Sequence, residues 1–365
     1  MADPRTAASW PLVPHTGAKL ALLRAYLGAW FPILSRGTNF DRIIYIDGFA
    51  GPGRYTGGED GSPIVALKAA LGANIRLPFE FHFVEHRRRA VNCLNANIDD
   101  LREQRKITST TEINVHAQLT FEEAYNRILR QRLVSNPHAP AFALLDPFGW
   151  KGLPMRIMTE LIRRPSTEIV VNFMFEEINR FLNHPKQEKN FDGLFGCPDW
   201  RRGYELTGAS RRQFIYDLFR DRLRLAARYV RSFEMRNERG ASDYFLFFAT
   251  NSYLGLKKMK EAMWRVDPGS GSSFSDATNL DQMVLFQQEP DRQQLRRLIA
   301  LRFTGNRATV DQIEHFVVED TGFNANHYKG VLLTMEMEGS LTPISPPLKR
   351  RRGTFGEPAL VLQFV

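Results

Sequence analysis

The sequence predicts an α/β protein built on an open, mostly parallel sheet, followed by a small winged-helix unit. Three observations carry this reading. Residues 42–71 form a strand, a glycine-rich loop and a helix in succession; three β-prone runs end in an acid, at Asp47, Glu85 and Asp146; and beyond a Gly/Ser-containing linker, three helical stretches precede a hairpin with a basic tip.

Each element follows from local chemistry. Residues 1–14, with several Pro and Ala, read as a loose arm. A helix over Ala18–Leu34 carries Leu20, Leu23, Tyr26, Leu27 and Trp30 on its apolar face. Its Lys19 sits in the first turn, where the helix dipole disfavours a cation unless an anion is near, and is read as a solvent lysine. The strand Arg42–Ile46 stops at Asp47 in a loop holding Gly48, Gly51, Gly53, Gly57, Gly58 and Gly61, and a strand ending in glycines brings bare backbone close to a ligand. Ser62 is placed to cap the next helix, Pro63 suits its first position, and Ile64, Val65, Leu67 and Leu71 give it an apolar stripe. Phe79–Val84 is a second strand, ending in Glu85, an acid placed to bind a ribose diol. A helix over Arg88–Gln104 leads to a strand at Glu112–Ala117, and Gln118 beyond it either contacts an adenine or caps the following helix, Phe121–Leu133. The strand Ala141–Leu145 ends in Asp146-Pro147-Phe148-Gly149. Parallel strands would bring Asp47, Glu85 and Asp146 to one sheet edge.

The chain then continues through a helix at Pro154–Arg163 and a strand at Glu168–Phe173. Met174–Leu182 leaves that strand on the ligand side with Glu176 and Glu177, and a helical insertion spans residues 178–228, its polar part, Asn183–Gly208, resembling a substrate cover. Arg220, Arg224, Arg228 and Arg231 recur at helical spacing opposite Leu218, Leu225 and Tyr229, as either a solvated face or a phosphate-tracking surface. Tyr229–Met235 and Tyr244–Thr250 form a hairpin. Parallel strands closed by such a hairpin make the Rossmann-like sheet of class I methyltransferases, which a plain dehydrogenase sheet is not.

A helix at Tyr253–Trp264 ends the first domain, residues 1–266; residues 267–288 are a linker and 289–365 the winged helix. Its helices are Arg292–Arg302, Val310–Glu319 and Asn324–Glu338, its extended runs Leu341–Ile344 and Ala359–Phe364, and its wing tip Lys349, Arg350, Arg351 and Arg352, cations suited to phosphates.

Composition sets the bounds. A chain of 365 residues is long for one core, and 43% hydrophobic with 24% charged residues is ordinary for a soluble protein. No apolar run reaches membrane-spanning length and no basic-then-apolar leader is present, so a cytoplasmic protein is expected. Cys93 and Cys197 have no disulfide or metal spacing, and no metal site is expected. A net charge of +9 favours polyanionic partners.

Taken together, IDGFAGPGRYTGGEDGSPIVAL, FHFVEH, LLDPFGW, NFMFEEINRF and YFLFFATNSYLGLKKMKEAMW resemble the three-Cys-motif partner proteins, a bacterial and phage family. The likeness spans roughly residues 10–290. It implies an S-adenosylmethionine-binding, methyltransferase-like fold and an operon companion, a three-cysteine protein that resembles radical-S-adenosylmethionine enzymes. Asp-Pro-Phe-Gly at residues 146–149 also looks like the motif of transfer RNA guanine N2-dimethyltransferases and is similar to the Asp-Pro-Pro-Tyr of adenine N6-methyltransferases, but Phe148 lacks a hydroxyl and Gly149 a ring, so adenine specificity does not follow.

The residues support methyl transfer to an exocyclic amine of a nucleic-acid base. Asp47, Gly48, Phe49, Gly51 and Gly53 are expected at the methionine part of S-adenosylmethionine, Glu85 at the ribose and Gln118 at the adenine. Asp146 and the Pro147 carbonyl would accept the amine hydrogens and Phe148 stack on the base; nucleic acid would also meet Arg220, Arg224, Arg228 and the wing-tip cations. Two other readings stay open: a non-catalytic nucleic-acid-binding partner of the radical-enzyme neighbour, and a nicotinamide-dependent oxidoreductase, against which the closing hairpin counts.

Overall fold

A computed structural model describes residues 9–36, 40–73, 77–104, 110–237, 239–275, 289–345 and 351–365. In chain order the first part contains α1 (Pro14–Ser35), β1 (Ile43–Asp47), α2 (Ser62–Gly72), β2 (Phe79–Glu85), α3 (Arg88–Gln104) and β3 (Thr111–Ala117). Next come α4 (Phe121–Ala124), running through a π-turn into α5 (Arg130–Ser135), then β4 (Ala141–Leu145), α6 (Met155–Arg163), β5 (Thr167–Phe173), α7 (Phe175–Phe181), α8 (Glu188–Phe195) and α9 (Gly208–Arg224). The chain continues with β6 (Tyr229–Arg236), β7 (Ser242–Thr250), α10 (Tyr253–Val266), β8 (Ser273–Ser275), α11 (Arg292–Phe303), β9 (Arg307–Thr309), α12 (Val310–Asp320), α13 (Tyr328–Met337), β10 (Leu341–Ser345) and β11 (Val361–Phe364).

The large sheet has the order β3-β2-β1-β4-β5-β7-β6-β8. β1 pairs in parallel with β2 and β4, β2 with β3, and β4 with β5, whereas β7 runs antiparallel to both β5 and β6. The expected parallel sheet closed by a hairpin is therefore the fold. Every residue of β1, β2, β4 and β5 is buried, as a sheet covered on both faces requires. In this register Asp47 lies opposite Phe83 and Leu144, so the acid-bearing ends of β1, β2 and β4 share one edge.

Helix α1 is fastened to the sheet by a buried polar knot. Tyr26 donates to Glu168 of β5, whose other oxygen accepts from Thr250 Oγ1 at 2.8 Å. A Cβ at Gly255 would fall 1.9 Å from that same Glu168 oxygen, so only glycine fits there. Burial pushes the Glu168 carboxyl above its ordinary range, and the three-way contact holds it in place.

One expectation for the insertion is corrected, and one part of it is more apolar than its composition suggests. Within residues 183–208, Phe191, Leu194, Phe195 and Trp200 are buried, with Trp150 stacked on Phe191 at 5.5 Å. The arginine helix ends at Arg224, so Arg228 and Arg231 are not on it, Arg231 lying in β6. Its buried stripe is Ile215, Phe219 and Leu223, while Leu225 is 61% exposed. The arginines keep helical spacing beyond the point where the chain turns into a strand, and the sequence pattern alone does not register the change.

The chain divides into two compact units: the first runs to Gly255 and takes back Phe274 and Ser275, and most of α10 belongs with the second. That unit has its own core of Leu295, Ile299, Phe303, Ile313, Val317, Leu332, Met335 and Leu362. It contains α11–α13 and a three-stranded sheet ordered β10-β11-β9, the expected winged helix. Thr309 and Gln312 form a capping box that starts α12. Within the same unit Lys260 is buried and donates to the carbonyls of Val317, Val318 and Thr321, a cation closing the C-terminal end of α12. Lys349 and Arg350 lie outside the described residues; Arg351 and Arg352 are exposed.

Candidate active site

Beyond the ends of β1 and β4 lies a cavity of about 740 Å³, large enough for a nucleoside-sized ligand. The glycine loop lines one side with Phe49, Gly51 and Gly53, and the turn after β4 lines another with Asp146, Pro147 and Phe148. Part of the remaining wall is one that the sequence reading left out of the site: Trp10 from the N-terminal arm, His15 and Lys19 of α1, and Asn172 at the end of β5.

The loop is shaped by its own backbone. Gly51 and Gly53 have φ of +65° and +84°, values that favour glycine, and a Cβ at Gly61 would sit 2.9 Å from the Gly53 carbonyl oxygen, to which the Gly61 amide donates at 2.7 Å. Several amides expected to face a ligand are engaged within the protein. Gly48 N donates to Leu144 O at 2.9 Å, Phe49 N to Asp47 Oδ1 at 3.2 Å and Gly51 N to Glu85 Oε2 at 2.8 Å. Ser62 begins α2 without a side-chain cap, the N-cap position being Gly61.

The three strand-end acids play different parts. Asp146 faces the cavity; its Oδ1 accepts from Asn172 Nδ2 at 2.6 Å and its Oδ2 from the Lys19 ammonium. Lys19 is thus not a solvent lysine: its side chain is 12% exposed and ion-paired with Asp146, and because α1 starts at Pro14 it lies in the second turn rather than the first. Asp47 is fully buried directly behind the loop, and its Oδ2 has no hydrogen-bond partner. Burial pushes its carboxyl up to about 7; the neighbouring Ser62 hydroxyl and the Phe49 amide oppose the rise, Asp146 adds to it and Lys19 opposes it. Glu85, also buried, braces the loop through Gly51 and is covered by Arg87.

Gln118 is not brought to the cavity. It is exposed, adopts φ of +57° and donates its amide to Glu85 O; nor does it cap the next helix, a task taken by Thr120 in a capping box with Glu123. On α9, Arg220 pairs with Asp217 at 2.7 Å and Asp221 at 3.0 Å, and Arg224 with Asp221 at 3.6 Å, so their charge is largely answered within the protein; Arg228, beyond the helix, lies over the Tyr229 ring. Lys19 had a sequence signal, the uncompensated helix-start cation; Trp10 had none.

Chemically, the cavity offers a carboxylate held by a cation and an exposed aromatic ring at Phe148, with Asn172 Oδ1 buried and unpartnered at its wall and the Asp47 carboxyl buried behind the glycine loop, outside the lining. Strand order and site together define a protein with a class I methyltransferase-like fold that also carries a winged helix. In sequence, residues 273–347 match the GMT-like wHTH domain. No curated protein sequence matches the chain. Among solved structures it is similar to a Legionella pneumophila protein of the DUF519 family, with 11% identity over 68% of this chain and 92% of that one and a TM-score of 0.41. It is also similar to the METTL16 MTase domain, with 11% identity over 62% and 66% of the two chains and a TM-score of 0.31. A geranyl diphosphate methyltransferase matches with 11% identity over 62% of this chain and 76% of that one, at a TM-score of 0.26. No described helix is long and apolar enough to cross a membrane.

Proposed function

We propose that the protein transfers a methyl group from S-adenosylmethionine to an exocyclic amino group of a nucleic-acid base. The observation that carries this reading is Asp146, presented to a nucleoside-sized cavity at the end of β4 and oriented there from two sides by Lys19 and Asn172. The residues fit the cofactor. Asp47, buried with an oxygen that lacks a hydrogen-bond partner, supplies negative charge behind the glycine loop, where a sulfonium and an ammonium group would need it. Phe49, Gly51 and Gly53, which line the cavity, would hold the methionine part, and Glu85, buried behind Gly51 and Arg87, the ribose hydroxyls. Bound there, S-adenosylmethionine would supply an electrophilic methyl group, its carbon–sulfur bond breaking as the nitrogen–carbon bond forms, with S-adenosylhomocysteine leaving and the amine proton passing to solvent.

An exocyclic amine is a weak nucleophile because its lone pair is delocalised into the ring. Asp146, with the Pro147 carbonyl and Asn172 Oδ1 beside it, accepts the amine hydrogens and turns the lone pair out of the ring plane. Phe148, 64% exposed, stacks on the base. A base in a duplex has first to leave the stack. The winged helix supports nucleic acid as the substrate class, with Arg351 and Arg352 as phosphate contacts. The resemblance to three-Cys-motif partners adds a three-cysteine radical-S-adenosylmethionine-like protein as a working companion, in a bacterial or phage cytoplasm.

The test is incubation with mixed DNA and RNA and methyl-labelled S-adenosylmethionine, followed by digestion to nucleosides. Label on one base is the expected result, and Asp146→Ala protein should bind the cofactor without transferring label. Cofactor-independent nucleic-acid binding with no labelled product would make the chain a non-catalytic subunit of its companion instead.

A further inference from the structure

One side chain, Arg87, occupies two places that the proposed reaction requires. A carboxylate offers about four lone-pair sites, and at Glu85 four donors are present. Oε1 accepts from Arg87 N at 2.7 Å and Arg87 Nε at 3.0 Å, and Oε2 accepts from Gly51 N at 2.8 Å and Arg87 Nη2 at 3.3 Å. A ribose diol can reach Glu85 only if the guanidinium withdraws.

The same guanidinium lies 4.7 Å from the Trp10 ring centroid and 5.3 Å from that of Phe148. The two rings meet edge to face at 5.3 Å. Phe148 is 64% exposed, so packing does not account for an aromatic there. Trp10 is carried by the N-terminal arm, which is strapped across the glycine loop by Thr56 N donating to Trp10 O at 3.1 Å and Ser9 Oγ donating to Arg54 O at 3.0 Å. A guanidinium is planar and stacks on aromatic faces, as a nucleobase does.

We propose that Trp10 and Phe148 form the platform for the acceptor base, and that the Arg87 guanidinium holds the base's place until ligands arrive. The cofactor ribose displaces Arg87 from Glu85, and the base displaces it from the two rings. Whichever ligand binds first bears the cost of moving it, so each ligand promotes the binding of the other, by the same factor in both directions. This inference rests on the methyltransferase reading above and adds Trp10 and Arg87 to it as positioning residues.

Calorimetry tests it, with S-adenosylmethionine and a short random-sequence single-stranded oligonucleotide as probes, each titrated alone and in the presence of the other. In the wild type each ligand should raise the affinity of the other about five- to tenfold. In Arg87→Ala, and in Arg87→Met, which keeps the aliphatic stem, S-adenosylmethionine alone should bind tighter by a similar factor, and the mutual effect should fall to about one. Trp10→Ala should weaken oligonucleotide binding about tenfold and, by loosening the resting place of Arg87, tighten cofactor binding by about two- to threefold, and Trp10→Phe should restore most of both. Unchanged or weaker cofactor binding in both Arg87 variants, or mutual promotion that survives them, overturns the inference and leaves the methyltransferase reading standing. A wild-type protein that does not bind S-adenosylmethionine sinks that reading itself, and an oligonucleotide that ignores the cofactor-loaded protein overturns the base platform.

Discussion

Glu80 on β2 and Asp47 at the end of β1 are both buried acids set in apolar runs, yet the fold treats them oppositely. Glu80 is 1% exposed and meets donors on every side: His82 Nε2 at 2.7 Å, Arg42 Nη1 at 2.9 Å, Arg132 Nη2 at 3.0 Å and Arg132 Nε. Burial alone would raise its pKa, but these partners bring it down to about 2. Asp47 is as deeply buried, meets only the Phe49 amide and the Ser62 hydroxyl, neither of them charged, and burial pushes it up to about 7. A carboxylate that serves the architecture is fully paired. One that stays under-paired beside a cavity is available to a cationic ligand, and the cost of keeping it so is accepted at a functional site.

The largest expected effect tests the structural half of this comparison. Glu80→Ala removes the common partner of two arginines and His82 and should cost about 3 kcal/mol in urea unfolding, held to that figure because the arginines are partly exposed and keep some hydration. On the functional half, Asp146→Asn, which spares Lys19 a fully empty partner site, should slow methyl transfer by about 10²-fold, equivalent to about 2.7 kcal/mol, with a smaller loss of stability than Glu80→Ala. A large loss of stability would move Asp146 to the structural side.

Asp47 sharpens the contrast through pH. Its folded pKa of about 7 stands above the ordinary 3.8, so the folded ligand-free chain holds a proton that the unfolded chain has released. Its contribution to stability is present below the ordinary value and is lost as pH rises through about 7, whereas Asp47→Asn should remove this loss and raise the melting temperature at alkaline pH. Binding of a cationic cofactor runs the other way: affinity should climb by up to about tenfold per pH unit on the approach to pH 7, level off above it, and show no such slope in Asp47→Asn. The smallest effect concerns the arginines. Because Arg220 and Arg224 are already paired, their joint replacement by alanine should change nucleic-acid affinity by less than about 0.5 kcal/mol, while Arg351→Ala and Arg352→Ala should each flatten the salt dependence by about 0.9 in log–log slope.

Much of the fold was legible because the signals are local. Alternation and buried runs mark β1, β2, β4 and β5, and helical periodicity marks α3 and the winged-helix elements. Reading failed where a local pattern outlived the element that justified it, as with Arg228 and Arg231, or where two residues competed for one role, as Gln118 and Thr120 did for a helix cap. The candidate site was half legible. Acids at strand ends announce themselves, but Trp10 reaches the cavity only because the arm folds back onto Arg54, 45 residues away.

From the sequence alone came a mostly parallel sheet closed by a hairpin, the shared edge of Asp47, Glu85 and Asp146, and the winged helix, since hydrophobic patterning and turn chemistry determine elements and their succession. Tertiary structure alone decided which acid faces the cavity, which is covered and which is left short of partners, because pairing and burial depend on what the distant chain brings: Lys19 to Asp146, Arg87 to Glu85 and no donor to Asp47 Oδ2.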